Sequence, residues 1–276
     1  RGGLAHRPST GGASLTDALL TALRAGGGGL RTSATVERIL VDKQQVQGVR
    51  LRGGEEIAVS QVVSAADPRT TLLDLVGAVE LPPEFVWQAQ SIRMRGSVAK
   101  VHLLTDGRHG LPEGTLVVAP TLKYLEQAYD ASKYGEISEQ PYLEITTAGP
   151  VVSVHYQFAS FALRKGDWPG ERSTLETRAI DTLASYAPQL RDSIRGVQSI
   201  TPLDLEQDWG LAEGDLNHGQ LILDQIFFMR PLPGWSDHRT PVDGLFLCGS
   251  GVHGGGGISG ASGRNAARAV SKGSGR

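Results

Sequence analysis

The feature that most constrains the fold is a glycine-rich loop near the C-terminus, at residues 249–263. The chain has 276 residues and 36 glycines, a high share for a globular protein, and this loop holds one of their two clusters. The apolar run at residues 245–248 predicts a strand before the loop, and the alanine-rich stretch at 261–271 predicts a helix after it. Because glycines leave no side chains to fill the loop, another group can touch its backbone.

Residues 249–254 fit the pattern G-x-G-x-x-G, which alone indicates a nicotinamide dinucleotide loop. That fingerprint needs a strand–helix–strand unit of about 30 residues with an acidic residue about 20 positions on. The chain after Gly254 contains no Asp or Glu and has room for only one helix, which disfavours this hypothesis. Two interpretations stay open: an anion site at the positive helix end, suited to a pyrophosphate or the N1/C2 oxygen locus of a reduced flavin, and a packed loop without ligand.

The N-terminal part of the chain predicts a helix followed by a small sheet. Apolar residues at helical spacing predict a helix over residues 14–25, opened by a capping box that starts at Ser14. The glycines at 26–29 predict a left-handed C-cap, after which residues 30–32 predict a short strand. Short polar turns then separate three β-rich runs, which predicts an antiparallel meander over 36–41, 46–51 and 57–63. A helix is predicted over 69–75 after Pro68.

From about residue 81 the pattern changes to longer helices mixed with strands, which predicts a second region of the α+β class. The predicted helices cover residues 84–92, 122–132 and 173–186. The predicted strands cover residues 98–104, 142–146, 151–158 and 220–229. Asp224 and Arg230 lie six positions apart and would share a face of the last strand, where we favour an edge pair over a pocket lining.

Charge and cysteine content exclude several classes of protein. Lys and Arg number 27 against 29 Asp and Glu, and no basic block stands out, which argues against a nucleic-acid partner. No apolar run reaches membrane-spanning length, so membrane association is not indicated. Cys248 is the single cysteine, which excludes an intrachain disulfide and a cysteine metal cluster and fits a reducing, cytoplasmic compartment. We interpret it as a packed side chain rather than a redox nucleophile.

Several short sequences resemble one known family. The stretches GLFLCGSG at 244–251, GGGISGA at 255–261 and GRNAA at 263–267 closely resemble the phytoene-desaturase-like FAD-dependent oxidoreductases. Within them, TPLDLE at 201–206, LDQIFFMRP at 223–231 and SYAP at 185–188 are most similar to the group called pyridine nucleotide-disulfide oxidoreductase domain-containing protein 2. TVERIL at 35–40 and VSAADP at 63–68 resemble parts of the family's FAD domain.

The resemblance implies a fold class that combines α/β and α+β parts. Residues 1–80 and 236–276 would form an incomplete FAD/NAD(P)-binding-type domain, made of a helix, a β-meander and a C-terminal strand–loop–helix. Residues 81–235 would form an inserted mixed α+β substrate domain. The chain begins with Arg1 rather than Met, and the family's N-terminal strand and G-x-G-x-x-G loop, which hold the ADP half of FAD, are absent from it. We therefore expect the C-terminal portion of a longer protein.

By the same resemblance, the cofactor is FAD and several residues would contact it. Val36 would approach the adenine through its backbone, and Ala65 and Ala66 would flank the cofactor. The remaining predicted contacts belong to the glycine loop: Gly249 and Ser250 along the ribityl-pyrophosphate, and Gly257, Ile258, Ser259 and Gly260 near the pyrimidine edge of the flavin. No residue is assigned a catalytic role, and no metal site is expected.

The implied activity is oxidation of an apolar small molecule by hydride transfer from a C–H bond to the flavin, in the manner of desaturases and amine oxidases. Without the ADP-binding unit, FAD affinity should collapse in this chain alone. The alternative is a flavin-free scaffold or interaction module derived from the same family. Neither interpretation excludes a homo-oligomer.

Overall fold

The computed structural model describes residues 11–273, and these contain ten strands in three sheets. The strands of the described residues are β1 Val36–Asp42, β2 Gln45–Leu51, β3 Glu56–Ala58, β4 Val62–Ser64, β5 Val98–Thr105, β6 Gly114–Val118, β7 Leu143–Ala148, β8 Val151–Gln157, β9 Ile194–Ile200 and β10 Leu245–Leu247. The helices are α1 Ala13–Ala25, α2 Pro83–Gln90, α3 Leu122–Lys133, α4 Trp168–Ala184, α5 Leu190–Ser193, α6 Pro202–Trp209 and α7 Ala261–Gly273. A π-helix, Thr70–Gly77, lies between β4 and α2.

The largest sheet has five antiparallel strands in the order β6-β7-β8-β5-β9. Its strands alternate apolar and polar residues, so one face is buried and the other carries polar side chains. Helix α4 covers the apolar face, where Leu175, Ala179 and Leu183 are almost fully buried. This face and the helix form the larger hydrophobic core. The opposite, polar face of the five-stranded sheet is not covered by α4, so it can line a cavity.

A second core lies under the two smaller sheets. The meander β1-β2-β3 is antiparallel, whereas β4 and β10 form a parallel pair. Leu72 of the π-helix, Leu245 of β10 and Phe85 of α2 pack together in this core. Phe85 also contacts the Trp235 ring edge to face, with 5.0 Å between the centroids. The C-terminal strand is thus anchored by residues far away in sequence.

Most predicted helices and strands are confirmed, including the first helix, the meander and the strand–loop–helix at the C-terminus. The predicted capping box at Ser14 is wrong: the helix starts after Gly12 without a side-chain cap, and the Ser14 hydroxyl donates to the carbonyl oxygen of Gly11 at 2.8 Å. The left-handed residue is Gly27, with φ of 80°, because Gly26 keeps a negative φ. The short strand predicted at residues 30–32 is absent from the described chain.

Two other predictions need correction. The third meander run divides, because β3 stays in the meander while β4 leaves it to pair with β10. The strand predicted at residues 220–229 is instead made of short 3-10 turns, so Asp224 and Arg230 do not share a strand face. Asp224 forms an ion pair with Arg93, whereas Arg230 is buried and bonds backbone carbonyls. The described residues contain no helix that is long and apolar enough to cross a membrane.

Candidate functional site

The parallel pairing of β4 and β10 brings two distant sequence segments together at the carboxyl ends of both strands. Leu247 lies beside Ser64, and the Cys248 amide donates to the Ser64 carbonyl at 2.8 Å. The chain then reaches Gly249, whose φ of 88° is a backbone conformation that glycine adopts easily and other residues rarely do. An added Cβ there would lie 3.1 Å from the Ala65 carbonyl oxygen. Ala65 and the start of the glycine loop are therefore in direct backbone contact.

One part of the loop is packed too tightly for side chains. A Cβ on Gly251 would lie 2.3 Å from the Pro68 ring, and one on Gly255 would lie 2.2 Å from the Ser250 carbonyl oxygen. Real side chains do not fit at such distances. These glycines let the loop pack against itself and against the segment after β4, so this part of the loop has a fixed backbone position beneath the site.

The other part of the loop is open. Gly256, Gly257 and Gly260 have positive φ angles of 91°, 65° and 65°, and a Cβ on any of them would meet no heavy atom of the described residues within 4 Å, chain neighbours aside. Ile258, between them, is 91% exposed. The glycines here satisfy the backbone conformation, and they leave free space over the loop, which a bound group could occupy.

Helix α7 points its N-terminus at this open part of the loop. Ser259 accepts a hydrogen bond from the Ala261 amide at 3.3 Å. Ser262, in the first turn, is 6% exposed, and its hydroxyl has no hydrogen-bond partner among the described residues. The Nδ1 atom of His253 is buried and likewise unpartnered within that part of the chain. Unsatisfied polar atoms beside the positive end of a helix suit a polar or anionic ligand.

Arg230 fixes the glycine loop through hydrogen bonds to backbone carbonyls. It is 4% exposed, and its Nε donates to the Ser250 carbonyl at 2.9 Å. Its Nη atoms donate to carbonyls of the segment at residues 217–225, including Gly219 at 3.1 Å and Gln225 at 3.1 Å. Burial lowers the pKa of this guanidinium, and the charge of Asp215 partly offsets that shift. A sequence motif marked this arginine, but only the fold shows that it clamps two loops together.

The clamped segment forms one wall of a cavity of about 340 Å³. The opposite wall is the polar face of the five-stranded sheet, including His155 and Gln157 of β8. Next to them, Lys100 pairs in register with His155, and His155 with Glu144. Burial lowers the pKa of both Lys100 and His155.

This polar cluster was missed by the sequence analysis. The polar residues at alternate positions of β5 and β8 are the signal that could have shown it. What the sequence could not show is that β7 brings Glu144 beside them.

The other residues predicted to contact the cofactor do not all lie beside the glycine loop. Ala66 is half-buried in the segment after β4, next to the start of the glycine loop. Val36 is half-buried at the beginning of β1, opposite Leu51, in a sheet that contains neither β4 nor β10. Ser250 contributes its carbonyl to the Arg230 clamp. The structure therefore unites Ala65, Ala66 and the glycine loop, whereas Val36 lies in the neighbouring meander.

These residues fit an FAD cofactor by their geometry. The loop offers exposed backbone with room above it, the helix end offers a positive dipole, and Ser262 offers an unpartnered hydroxyl. The groups present would hold the flavin end of the cofactor against Gly257, Ile258 and Ser259.

Comparison with known proteins agrees with the geometry. A family model described as flavin containing amine oxidoreductase matches residues 2–271. The pyridine nucleotide-disulfide oxidoreductase domain-containing protein 2 of Rattus norvegicus is 35% identical over 287 residues, covering 93% of this chain and 49% of the rat protein. A phytoene desaturase (lycopene-forming) from Paracoccus sp. is 26% identical over 245 residues, covering 85% of this chain and 48% of that protein. The resemblance seen in the sequence is confirmed.

Solved structures show the same fold. An oxidoreductase from Methanosarcina mazei superposes with a TM-score of 0.58 at 16% identity, over 96% of this chain and 55% of that chain. Cyclohexylamine oxidase from Brevibacterium oxydans gives a TM-score of 0.56 at 17% identity, over 96% and 53% of the two chains. The predicted fold class, a mixed α/β chain with a partial FAD-binding-type fold, is confirmed. The chain spans about half the length of the curated relatives it matches.

Proposed function

Because the chain belongs to the flavin-containing amine oxidoreductase family, we propose that the full-length protein is an FAD-dependent oxidoreductase whose flavin end lies over the loop between β10 and α7. The observation that carries this proposal is the open half of that loop, where three glycines leave free space beside the N-terminus of α7. Bound there, FAD would accept a hydride from a substrate C–H bond.

We propose distinct tasks for the two regions of the chain. The meander, β4, β10 and α7 would carry the cofactor, and the five-stranded sheet would carry the substrate, as the division at residues 80 and 236 predicts. Support comes from the two separate hydrophobic cores. Residues of α2 pack in the smaller core, which favours a boundary closer to β5 than to residue 81. We keep Val36 as a residue of the adenine end.

We propose the cavity below the Arg230 clamp as the place of the reacting substrate. It lies between the polar sheet face and the segment that Arg230 ties to the glycine loop. Val98, Leu221 and Ile222 add apolar surface to its lining, which supports the expected apolar body of the substrate. Lys100 lies beside His155 of this lining, in register with it across β5 and β8.

The test compares two glycine substitutions with the same backbone strain. Gly257 has φ of 65° and Gly149, in the turn between β7 and β8, has φ of 56°, and both have open space around a Cβ. A valine at either position costs similar conformational energy, on the order of 1–2 kcal/mol. In full-length protein, Gly257→Val should reduce bound FAD at least tenfold, measured by visible absorbance, and Gly149→Val should leave it unchanged.

A full-length protein that is colourless, and that reconstitution cannot load with FAD, would overturn the proposal. That outcome would favour the flavin-free scaffold instead. Equal FAD content in both valine variants would show that the protein binds FAD but that the flavin does not lie against Gly257.

A further inference from the structure

The five-stranded sheet has two edges, and its edge strands, β6 and β9, differ in how they are protected. At β9, Arg172 donates to the Ser199 carbonyl at 2.9 Å. Arg195, which lies in the strand itself, donates to the Ile194 carbonyl at 3.0 Å. Charged side chains along an edge discourage pairing with a further strand. The β9 edge is therefore protected by two arginines.

The β6 edge has no such protection in the part of the chain that the structure describes. Its residues, Gly114–Val118, include no charged side chain. β7 pairs with one side of the strand, and the backbone of residues 115–118 makes no described hydrogen bond beyond that pairing. Val117 is 56% exposed. An uncharged edge with unpaired amides and carbonyls is a template for another strand.

An apolar cavity of about 320 Å³ lies beside this edge, on the face of the sheet that α4 covers. Leu116 and Val118 of β6 line it, together with Ile145 of β7 and Leu183 of α4. In a strand added to β6, every second side chain would point to this same face. The cavity therefore has room for apolar side chains of the added strand.

Large apolar side chains around the edge are also exposed. Leu122, at the start of α3, is 85% exposed, and Tyr186, which lines the cavity beyond the end of α4, is 60% exposed. Stable interfaces involve about 20–30 residues a side, so the five residues of β6 need contacts from their neighbours. Leu122 and Tyr186 would supply them.

We propose that this edge is the interface of a symmetric dimer, in which β6 pairs antiparallel with β6 of a second copy. With Leu116 opposite its own copy, Gly114 lies opposite Val118, and the open space around a Cβ on Gly114 leaves room for that valine. Directly opposite residues share a face, so Leu116 and Val118 of each copy turn toward the cavity of the other. Identical strands paired in this way form a closed contact with two-fold symmetry.

The charges agree with this register and favour a second copy as the occupant. Glu113 of one copy would lie opposite Ala119 of the other, near the N-terminus of α3. That helix end is positive, Lys123 lies in its first turn, and no acidic residue does. Glu113 is exposed, and one of its carboxylate oxygens accepts from the Gly149 amide at 3.1 Å, which leaves the other oxygen for this contact.

The test is the oligomeric state of the full-length protein. Analytical ultracentrifugation over a concentration series should show a monomer–dimer equilibrium. Val117→Lys should weaken dimerisation at least tenfold, because each copy would bring a charge into the paired strands. The control is Val197→Lys, the same change at an exposed valine of the β9 edge, which should leave dimerisation unchanged. Circular dichroism verifies that both variants fold.

A cysteine variant tests the register without a loss of association. In Leu116→Cys, the two new cysteines would face each other across the two-fold axis, close enough to form a disulfide under mild oxidation. Val197→Cys should give no covalent dimer. Neither should the wild type, whose Cys248 is half-buried.

A full-length protein that stays monomeric throughout the series would overturn the proposal and would indicate that another part of the protein covers β6. A dimer that Val117→Lys weakens no more than Val197→Lys does would place the interface elsewhere. Failure of Leu116→Cys to cross-link would rule out the proposed register. None of these outcomes depends on whether the protein is loaded with FAD.

Discussion

At the scale of single residues, the buried charges among the described residues bond mainly to the backbone: Asp67 and Asp215 accept from amides, and Arg230 donates to carbonyls. Arg230 is almost fully buried, yet no carboxylate in the described part of the chain bonds to it. Its guanidinium donates hydrogen bonds to the carbonyl oxygens of Asn217, Gly219, Gln220, Gln225 and Ser250. An uncompensated buried charge is costly, so a shell of oriented carbonyls must offset the desolvation. Removing the guanidinium would leave those carbonyls without donors.

We expect Arg230→Met to lower the free energy of unfolding by about 3 kcal/mol or more, because several buried acceptors lose their partner at once. Chemical denaturation measures this directly. Arg191→Met, at an exposed ion pair, should change it by less than about 1 kcal/mol. A similar loss of unfolding free energy in both variants would contradict a stabilising role for the hydrogen bonds of Arg230.

Asp204 couples stability to pH. Burial alone would raise the pKa of its carboxyl, but hydrogen bonds from Arg172 and from Thr201 outweigh burial and hold the pKa below its usual value. The charged carboxylate therefore favours the folded state. Its contribution is complete above the unfolded pKa of about 3.9 and is lost as the pH falls through the lower, folded value.

In measurements of unfolding free energy against pH, the wild type should lose stability below about pH 4 more steeply than Asp204→Asn. Near neutral pH, the Asn variant should be the less stable protein, because it loses the ion pair in which Arg172 Nη2 donates to both Asp204 carboxylate oxygens at 2.8 Å. Parallel curves for the two proteins would exclude Asp204 as the source.

At the scale of elements, close backbone contacts decide how strands and loops meet. Gly96 connects the entry of β5 to the turn at Glu213, and Gly214 in turn packs against α6, where a Cβ would lie 2.5 Å from the Pro202 carbonyl oxygen. The cavity wall depends on both contacts. By contrast, a Cβ on Gly263 of α7 meets no heavy atom of the described residues within 4 Å beyond its own helix backbone.

Gly96→Ala should destabilise the fold by about 1–3 kcal/mol or more, since the added methyl must displace backbone atoms. Gly263→Ala should have no cost, or stabilise by up to about 1 kcal/mol, because alanine is the better helix former. Thermal unfolding of the two variants checks this contrast. Tolerance of alanine at position 96 would refute the close approach.

At the scale of the whole molecule, two cores carry the stability, and each contains a tryptophan that can report on it. Trp168 is 3% exposed in the larger core, whereas Trp235 packs on the smaller one beside Phe85. Helix α1 lies apart from both cores, because none of its residues is buried and Leu15, Leu19 and Leu23 are exposed.

Leu175→Ala, in the centre of the larger core, should cost about 2–5 kcal/mol. If the cores unfold separately, fluorescence of a protein that retains only Trp168 should show the loss, and fluorescence of one that retains only Trp235 should not. Leu19→Ala in α1, at a side chain that is 63% exposed, serves as the control and should change stability little. Equal shifts at both tryptophans would indicate one cooperative unit.

The sequence by itself determined the local elements and the family. Hydrophobic periodicity and short turns were enough for α1, for β1 and β2 of the meander, for β5, β7 and β8 of the larger sheet, and for the C-terminal strand–loop–helix, since these signals act over a few residues. They missed β6 and β9 of the larger sheet. The glycine pattern at 249–263 and its neighbours identified the family. Where local signals were ambiguous, as at residues 220–229, an apolar run was mistaken for a strand because nothing local shows that Arg230 folds the segment around itself.

Only the tertiary structure decided which distant groups meet. The pairing of β4 with β10 places Ala65 on the glycine loop, and the register of β5, β8 and β7 gathers Lys100, His155 and Glu144. The Gly96 amide joins the entry of β5 to the Glu213 carbonyl. Each contact joins segments separated by tens to hundreds of residues. Their formation depends on packing of whole elements, which no local pattern in the chain encodes.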